Sequence, residues 1–365
     1  MKKLFLIASA ILCTVVAAAQ QYTYTEASDL TLFGKLMPGK TQNPYHRVDT
    51  TLYKGFTAGE NFQVRQTSGM GCAFKTNSKS ISILTEYGQV SFPTNTSGIA
   101  ARGYNLYIKK DGEWLYAASN VCGDSRLDAP LTLIRGLDGT EHECLLYFPL
   151  FSEEYSIKVG VEEGSSIEAA EDPFRHRIAI WGSSFTHGSS TSRSGMTYPA
   201  KFSRRTGLQM LSLGCSGNCK LQSYFCDVLV DVDADAFVFD TFSNPSLEMI
   251  SDRLYTFIDR MVEAHPGVPL IFQQTIRRES RNFNTGSEKF EQDRMDLVVK
   301  MFKDLKSTKE GRKKYKDVYL IFPDATAPDN EDSVDGTHPE NHGYSLWAQS
   351  IEKPVLKILR KYGIR

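Results

Sequence analysis

The stretch RIAIWGSSFTHG, residues Arg177 to Gly188, decides how this 365-residue chain is read. An apolar run, Ile178 to Trp181, stops abruptly at Gly182-Ser183-Ser184, and a turn of small and polar residues follows. A strand ending in this way lifts a hydroxyl to the mouth of a parallel sheet, where ligands bind at the carboxyl ends of the strands. Far along the chain stands Asp335-Gly336-Thr337-His338-Pro339. An Asp placed just before a His in this way can fold back and hold the imidazole through one nitrogen, leaving the other free to act as a base. Hydroxyl, base and carboxylate together imply serine-based acyl transfer.

Outward from that stretch the chain has two rhythms. After about Asp172, strands alternate with helices. The pattern predicts strands at Arg177–Trp181, Met210–Leu213, Ala236–Asp240, Pro269–Gln273 and Val318–Ile321. Leu247, Ile250, Leu254, Phe257, Ile258 and Met261 recur at helical spacing, as do Met295, Val298, Met301, Phe302 and Leu305. A last helix is expected from Gly343 to Lys361. Alternation of this kind implies a parallel sheet covered on both faces. Before Ala170 the period is two, as in Gly71–Thr76, Ser80–Leu84 and Glu143–Phe148, and Asp111-Gly112 marks a hairpin turn. No long helical period interrupts it, so an all-β sandwich is expected. The aromatics of Gly103–Trp114 are read as core of that sandwich rather than as a sugar platform. The polar stretch Glu168–Arg175 marks the boundary, giving domains at 21–170 and 171–365.

Residues 1–20 stand apart. Lys2-Lys3 precede an apolar run from Leu4 to Ala18, and Ala17-Ala18-Ala19 offers small residues to a peptidase. This reads as a bacterial secretory leader cleaved before Gln20 or Gln21, because the run falls short of the roughly 20 residues a spanning helix needs. Leu12 before Cys13 speaks against a lipid anchor. The mature protein is therefore expected in the periplasm or outside the cell, with no stable membrane insertion. A formal net charge of -1 speaks against nucleic acid as a partner. Of the remaining cysteines, Cys72, Cys122 and Cys144 fall in the first half, and Cys215, Cys219 and Cys226 in the second. The second set lacks the spacing and fourth ligand of a structural zinc site, so a disulfide or buried thiols are expected rather than metal. His338, Glu340 and His342 also fail as a zinc motif, since Pro339 stands where the motif wants Glu.

Acyl transfer further needs donors for an oxyanion. Gly214-Cys215-Ser216-Gly217-Asn218 follows the second predicted strand, and Asn244 follows the third. Four blocks in this order, Gly182-Ser183-Ser184-Phe185-Thr186, Ser216-Gly217, Asn244 and Asp335-x-x-His338, resemble the SGNH family of esterases, also called GDSL hydrolases. The resemblance implies a flavodoxin-like three-layer α/β/α hydrolase domain. It implies Ser184 as nucleophile, His338 as base oriented by Asp335, and an oxyanion hole from the Ser184 and Gly217 N–H groups and the Asn244 amide. Ser183 stands where the family usually has Asp, and Phe242-Ser243-Asn244-Pro245 replaces its usual Gly-x-Asn-Asp. The run Ser192–Pro199 is similar to that of a subfamily with an N-terminal β domain marked by Gly-x-Asp-Leu-Tyr, here Gly103-Tyr104-Asn105-Leu106-Tyr107. His187, inside the nucleophile turn, receives no role from the sequence.

The expected activity is hydrolysis of a carboxylic ester through an acyl-enzyme, without metal or organic cofactor. Export and the appended β domain favour a short acyl group, such as acetyl, on a carbohydrate; a lipid acylhydrolase and an inactive glycan-binding protein are the alternatives.

Overall fold

Alternating polar and apolar residues build two antiparallel sheets from the first half of the chain. A computed structural model describes residues 21–123 and 125–365; the expected secretory leader, 1–20, lies outside the described residues. The strands are β1 (Tyr22–Glu26), β2 (Thr31–Phe33), β3 (Gly71–Thr76), β4 (Ser80–Val90), β5 (Tyr104–Lys110), β6 (Glu113–Asn120), β7 (Leu131–Arg135), β8 (His142–Tyr147), β9 (Ser152–Glu162) and β10 (Ile167–Ala169). One sheet has the order β1-β9-β4-β7, the other β10-β3-β8-β5-β6, with β2 paired to β3. Ile81, Ile83 and Val159 of the first sheet meet Phe74, Leu106 and Leu146 of the second in one buried core, the arrangement of a sandwich. Tyr104 and Tyr107 are buried, as core aromatics should be.

Two short helices, α1 (Ala58–Arg65) and α2 (Gly98–Arg102), also belong to this half. α1 is set by its cap rather than by an apolar stripe. Thr57 accepts the Glu60 N–H while Glu60 accepts from the Thr57 backbone, a capping box that satisfies two otherwise orphaned donors.

The second half forms a five-stranded sheet, all parallel, in the order β12-β11-β13-β14-β15. Its strands are β11 (Arg175–Gly182), β12 (Leu208–Gly214), β13 (Ala236–Asp240), β14 (Leu270–Gln273) and β15 (Val318–Ile321). The helices are α3 (Ser184–His187), α4 (Tyr198–Thr206), α5 (Ser223–Leu229), α6 (Leu247–Ala264), α7 (Thr285–Leu305), α8 (Lys309–Lys314) and α9 (Asn341–Leu359). Residues of β11 alternate between faces. Ala179 and Trp181 pack with α5, α6 and α7 through Phe225, Leu254, Phe257 and Val298. Ile178 and Ile180 pack with α4 and α9 through Phe202, Tyr344, Trp347 and Ile351. This is the three-layer α/β/α architecture expected of the second half. α9 begins before the expected Gly343 because the Glu340 carboxylate accepts the His342 N–H at 2.7 Å and caps the helix.

The two halves share a core. Leu36, Met37, Val48, Tyr53 and Val64 lie in the same buried cluster as Trp181 and Leu213, so the chain between β2 and β3 leaves the sandwich and packs on the α/β half. Arg47, at its centre, is fully buried. Its guanidinium donates to the carbonyls of Ser212 and Gly214, each at 3.2 Å, and to that of Gln63.

Candidate active site

Parallel register sets Gly182 of β11 beside Gly214 of β12 and Asp240 of β13, so three adjacent strands end in one row. The turn after each carries residues singled out by the sequence. After β11, Ser183 adopts an extended conformation and accepts the Phe185 N–H at 3.2 Å on its hydroxyl. That N-cap starts α3 and makes Ser184 its first residue, with the side chain free to face out of the sheet.

The hydroxyl of Ser184 meets an imidazole. His338 Nε2 lies 2.9 Å from Ser184 Oγ, and His338 Nδ1 lies 2.8 Å from Asp335 Oδ2. An ionised carboxylate only accepts, so Nδ1 carries the proton and Nε2 presents its lone pair to the Ser184 hydroxyl. Burial pushes the Asp335 carboxyl up, but hydrogen bonds from the His338 backbone and ring and from Asn95 outweigh it and hold the group at about 2. Phe185 supports the imidazole edge-on, with ring centres 5.6 Å apart. The loop carrying Asp335 and His338 is clasped at its base. Glu340 N–H donates to the Asp332 carbonyl at 2.7 Å and Val334 N–H to that of His338 at 3.0 Å. The Glu279 carboxylate accepts the N–H groups of Asp332 and Ser333.

A second carboxylate sits beneath the turn. Asp240 Oδ2 accepts from the Ser183 hydroxyl at 3.1 Å and the Thr186 hydroxyl at 2.8 Å. Burial pushes its carboxyl up to about 6 against these hydrogen bonds. The neighbouring strand β13 thus ends in a buried carboxylate beneath the turn, with Ser183 and Thr186 bonded to it. A lone acidic residue closing the apolar run Ala236–Phe239 was the signal for it in the sequence.

Gly217 and Asn244 follow the neighbouring strands. Gly217 has φ +73 and is open to solvent, a left-handed conformation that glycine adopts without strain. The Asn244 carbonyl oxygen accepts the Cys219 N–H at 3.3 Å, which turns its amide nitrogen the other way. Among the described residues, no acceptor in the protein takes the N–H of Ser184, the N–H of Gly217 or the Nδ2 of Asn244.

His187 ties these turns together. Its Nε2 donates to the Leu150 carbonyl at 2.7 Å, so Nδ1 is the acceptor for the Ser216 N–H at 3.2 Å. Burial, then the Arg47 charge, lowers its pKa to about 3 despite the bond to Leu150. The ring is therefore neutral, stacked on Phe151 at 4.1 Å. Gly214 is close-packed here: a Cβ would come within 2.3 Å of the His187 nitrogen. From the other side, Gln63 of α1 donates to the Ser216 carbonyl at 2.8 Å and accepts from Asn218 at 2.9 Å.

Asp332, Glu340 and His342 bring potential ligand atoms within 4.8 Å of one another. These groups have structural partners: Asp332 accepts from the His342 ring at 2.7 Å, and Glu340 caps α9. His338 points instead at Ser184. The six described cysteines are free thiols; burial pushes those of Cys144 and Cys215 up to about 12.

A hydroxyl in line with an imidazole and a carboxylate, at the carboxyl edge of a doubly covered parallel sheet, is the equipment of an ester hydrolase. The chain belongs to the GDSL-like lipase/acylhydrolase family, whose model matches residues 175–357. Residues 21–167 match the model of the N-terminus of SGNH-hydrolase-type esterases. A solved structure described as a GDSL-like lipase from Bacteroides ovatus is 33% identical, with a TM-score of 0.87 over 93% of this chain and 98% of that one. The salicylyl-acyltransferase SsfX3 of a tetracycline biosynthetic pathway shares the fold at 20% identity, with a TM-score of 0.66 over 94% and 99% of the two chains. A family two carbohydrate esterase from Clostridium thermocellum, solved in complex with cellohexaose, shares it at 14% identity, with a TM-score of 0.55 over 80% and 93%. No curated protein matches the sequence.

Proposed function

We propose that this esterase removes acetyl or similarly short acyl groups from carbohydrate after export, through an acyl-enzyme on Ser184. The observation that carries the chemistry is the continuous chain Asp335–His338–Ser184, with contacts of 2.8 and 2.9 Å. Ser184 Oγ attacks the ester carbonyl while its proton passes to His338 Nε2. The negative charge that develops on the carbonyl oxygen is met by the N–H groups of Ser184 and Gly217 and by the Asn244 amide. Each such donor is worth roughly 10²–10³ in rate. His338 then returns the proton to the departing alcohol. A water, deprotonated by the same imidazole, releases the acid.

The carbohydrate reading draws on the fold shared with a family two carbohydrate esterase. Export draws on the Lys2-Lys3 and Leu4–Ala18 pattern, and we place the division between the two domains at 170/171. Among the described residues no helix is long and apolar enough to cross a membrane. The test is acetate release from acetylated polysaccharides alongside turnover of p-nitrophenyl acetate and its long-chain counterparts. Release of acetate that is lost in Ser184→Ala and His338→Ala supports the reading. A preference for long acyl chains would replace it with a lipid acylhydrolase, and glycan binding without turnover of any ester would remove the catalytic assignment.

A further inference from the structure

The loop joining β4 to α2 leaves the sandwich and reaches the Asp–His pair. Asn95, on this loop, donates from Nδ2 to Asp335 Oδ2 at 3.1 Å, and the same nitrogen lies 3.4 Å from His338 Nδ1. The residues after it are pinned to the chain beyond α3. Thr96 Oγ1 accepts the Ser190 N–H at 2.9 Å, and the Ser97 hydroxyl donates to the Ser192 carbonyl at 2.5 Å. Ser97 also caps α2 by accepting the Ala100 N–H at 3.0 Å. Asn95 is thus anchored to both halves of the molecule.

A carboxylate offers about four lone-pair sites. On Asp335, Oδ1 accepts the N–H groups of Thr337 at 3.1 Å and His338 at 2.8 Å. Oδ2 accepts the His338 ring N–H and the Asn95 amide. Asn95 therefore fills the last of the four. Without it, a carboxylate that is 37% exposed would turn that lone pair to water and loosen its hold on the imidazole. The residue type fits the task. A neutral amide satisfies the oxygen without bringing a positive charge to compete with the imidazolium that forms during catalysis, as an Arg or Lys there would.

We propose that Asn95, supplied by the β half, is a positioning residue for the Asp335–His338 pair, so that the hydrolytic site is completed across the two halves of the chain. The inference rests on the assignment of Ser184, His338 and Asp335 above. Its effect is on the aim of a base, so it falls on kcat: small misplacements of catalytic groups cost up to about 10²-fold.

The test uses the full chain and p-nitrophenyl acetate. Asn95→Ala should lower kcat by about 10- to 100-fold while KM and the melting temperature hold. Asn95→Asp supplies a diagnostic pH profile. The titratable groups it would face are Asp335 and His338, with Tyr344 of α9 behind them and held neutral by burial. An ionised carboxyl at position 95 repels Asp335, whereas a protonated one can donate to Oδ2. The activity of Asn95→Asp relative to the unsubstituted enzyme should therefore rise as pH falls. A kcat for Asn95→Ala within about twofold of the unsubstituted enzyme, a loss matched by unfolding, or a pH-independent ratio for Asn95→Asp overturns the proposal. Fluorophosphonate labelling read by mass spectrometry separates it from the reading beneath. Label on Ser184 with undiminished Asn95→Ala turnover overturns the role of Asn95 alone; absence of label on Ser184 overturns the triad itself.

Discussion

At the scale of the residue, Ser183 and Ser184 are adjacent serines in opposite circumstances. Ser184 faces the imidazole, whereas Ser183 faces inward, capping α3 and bonding to Asp240. Ser184→Ala and His338→Ala should abolish ester turnover, and Asp335→Asn should lower kcat by about 10⁴, because an amide there favours the wrong tautomer of the base. Ser183→Ala should instead cost about 1 kcal/mol of stability through the lost cap and leave the nucleophile in place. Steady-state kinetics and thermal melts on the four variants check this. Loss of turnover in Ser183→Ala with its retention in Ser184→Ala would show that the block has been read one residue out of register.

At the scale of the element, α3 and the turn after β12 act as one unit joined by His187. The sign of its pH effect follows from burial. The ring titrates near 3 in the folded chain against an ordinary 6.5, so between those values the unfolded chain holds more protons. Its contribution to stability is full above 6.5 and is lost as pH falls toward 3, with a slope of at most about 1.4 kcal/mol per pH unit. Denaturant titrations from pH 7 to 4 should show the native sequence losing more stability than His187→Gln as pH falls, the difference carrying that slope, because the buried His46 contributes its own slope to both. The element scale also explains what could be read in advance. The five parallel strands and the long helices α6, α7 and α9 were legible because period and punctuation are local, whereas α3, α4, α5 and α8 are too short to show a period. Ser184, Gly217, Asn244, Asp335 and His338 stood out because each follows a strand or sits in a short turn. Asn95 and the bond made by His187 did not, because each depends on a contact across the chain: Asn95 meets Asp335 240 residues away. α1 was missed for a different reason: it is short and buries only Glu60 and Val64, although Thr57 and Glu60 carry its cap in plain view.

At the scale of the whole molecule, the β half does more than accompany the hydrolase half. Arg47 shows this most directly, since its fully buried guanidinium satisfies carbonyls at the end of β12. Replacing it with Met would leave buried acceptors unpaired, at about 1–3 kcal/mol for each. Arg47→Met should therefore unfold at markedly lower denaturant and lose esterase activity as the turn bearing Gly217 loosens. If Arg47→Met keeps both its midpoint and its kcat, the carbonyls find other donors and the buttress is dispensable.

The segment from Leu36 to Val64 also sets an order of assembly. It is synthesised well before β11 and β12, yet its apolar side chains belong in their core. A chain emerging from its amino end must keep that segment exposed until the parallel sheet exists to receive it. Such long-range closure is slow and leaves sticky surface uncovered in the interval. An engineer who exchanges front domains between relatives would have to carry this strap with the back half, not the front.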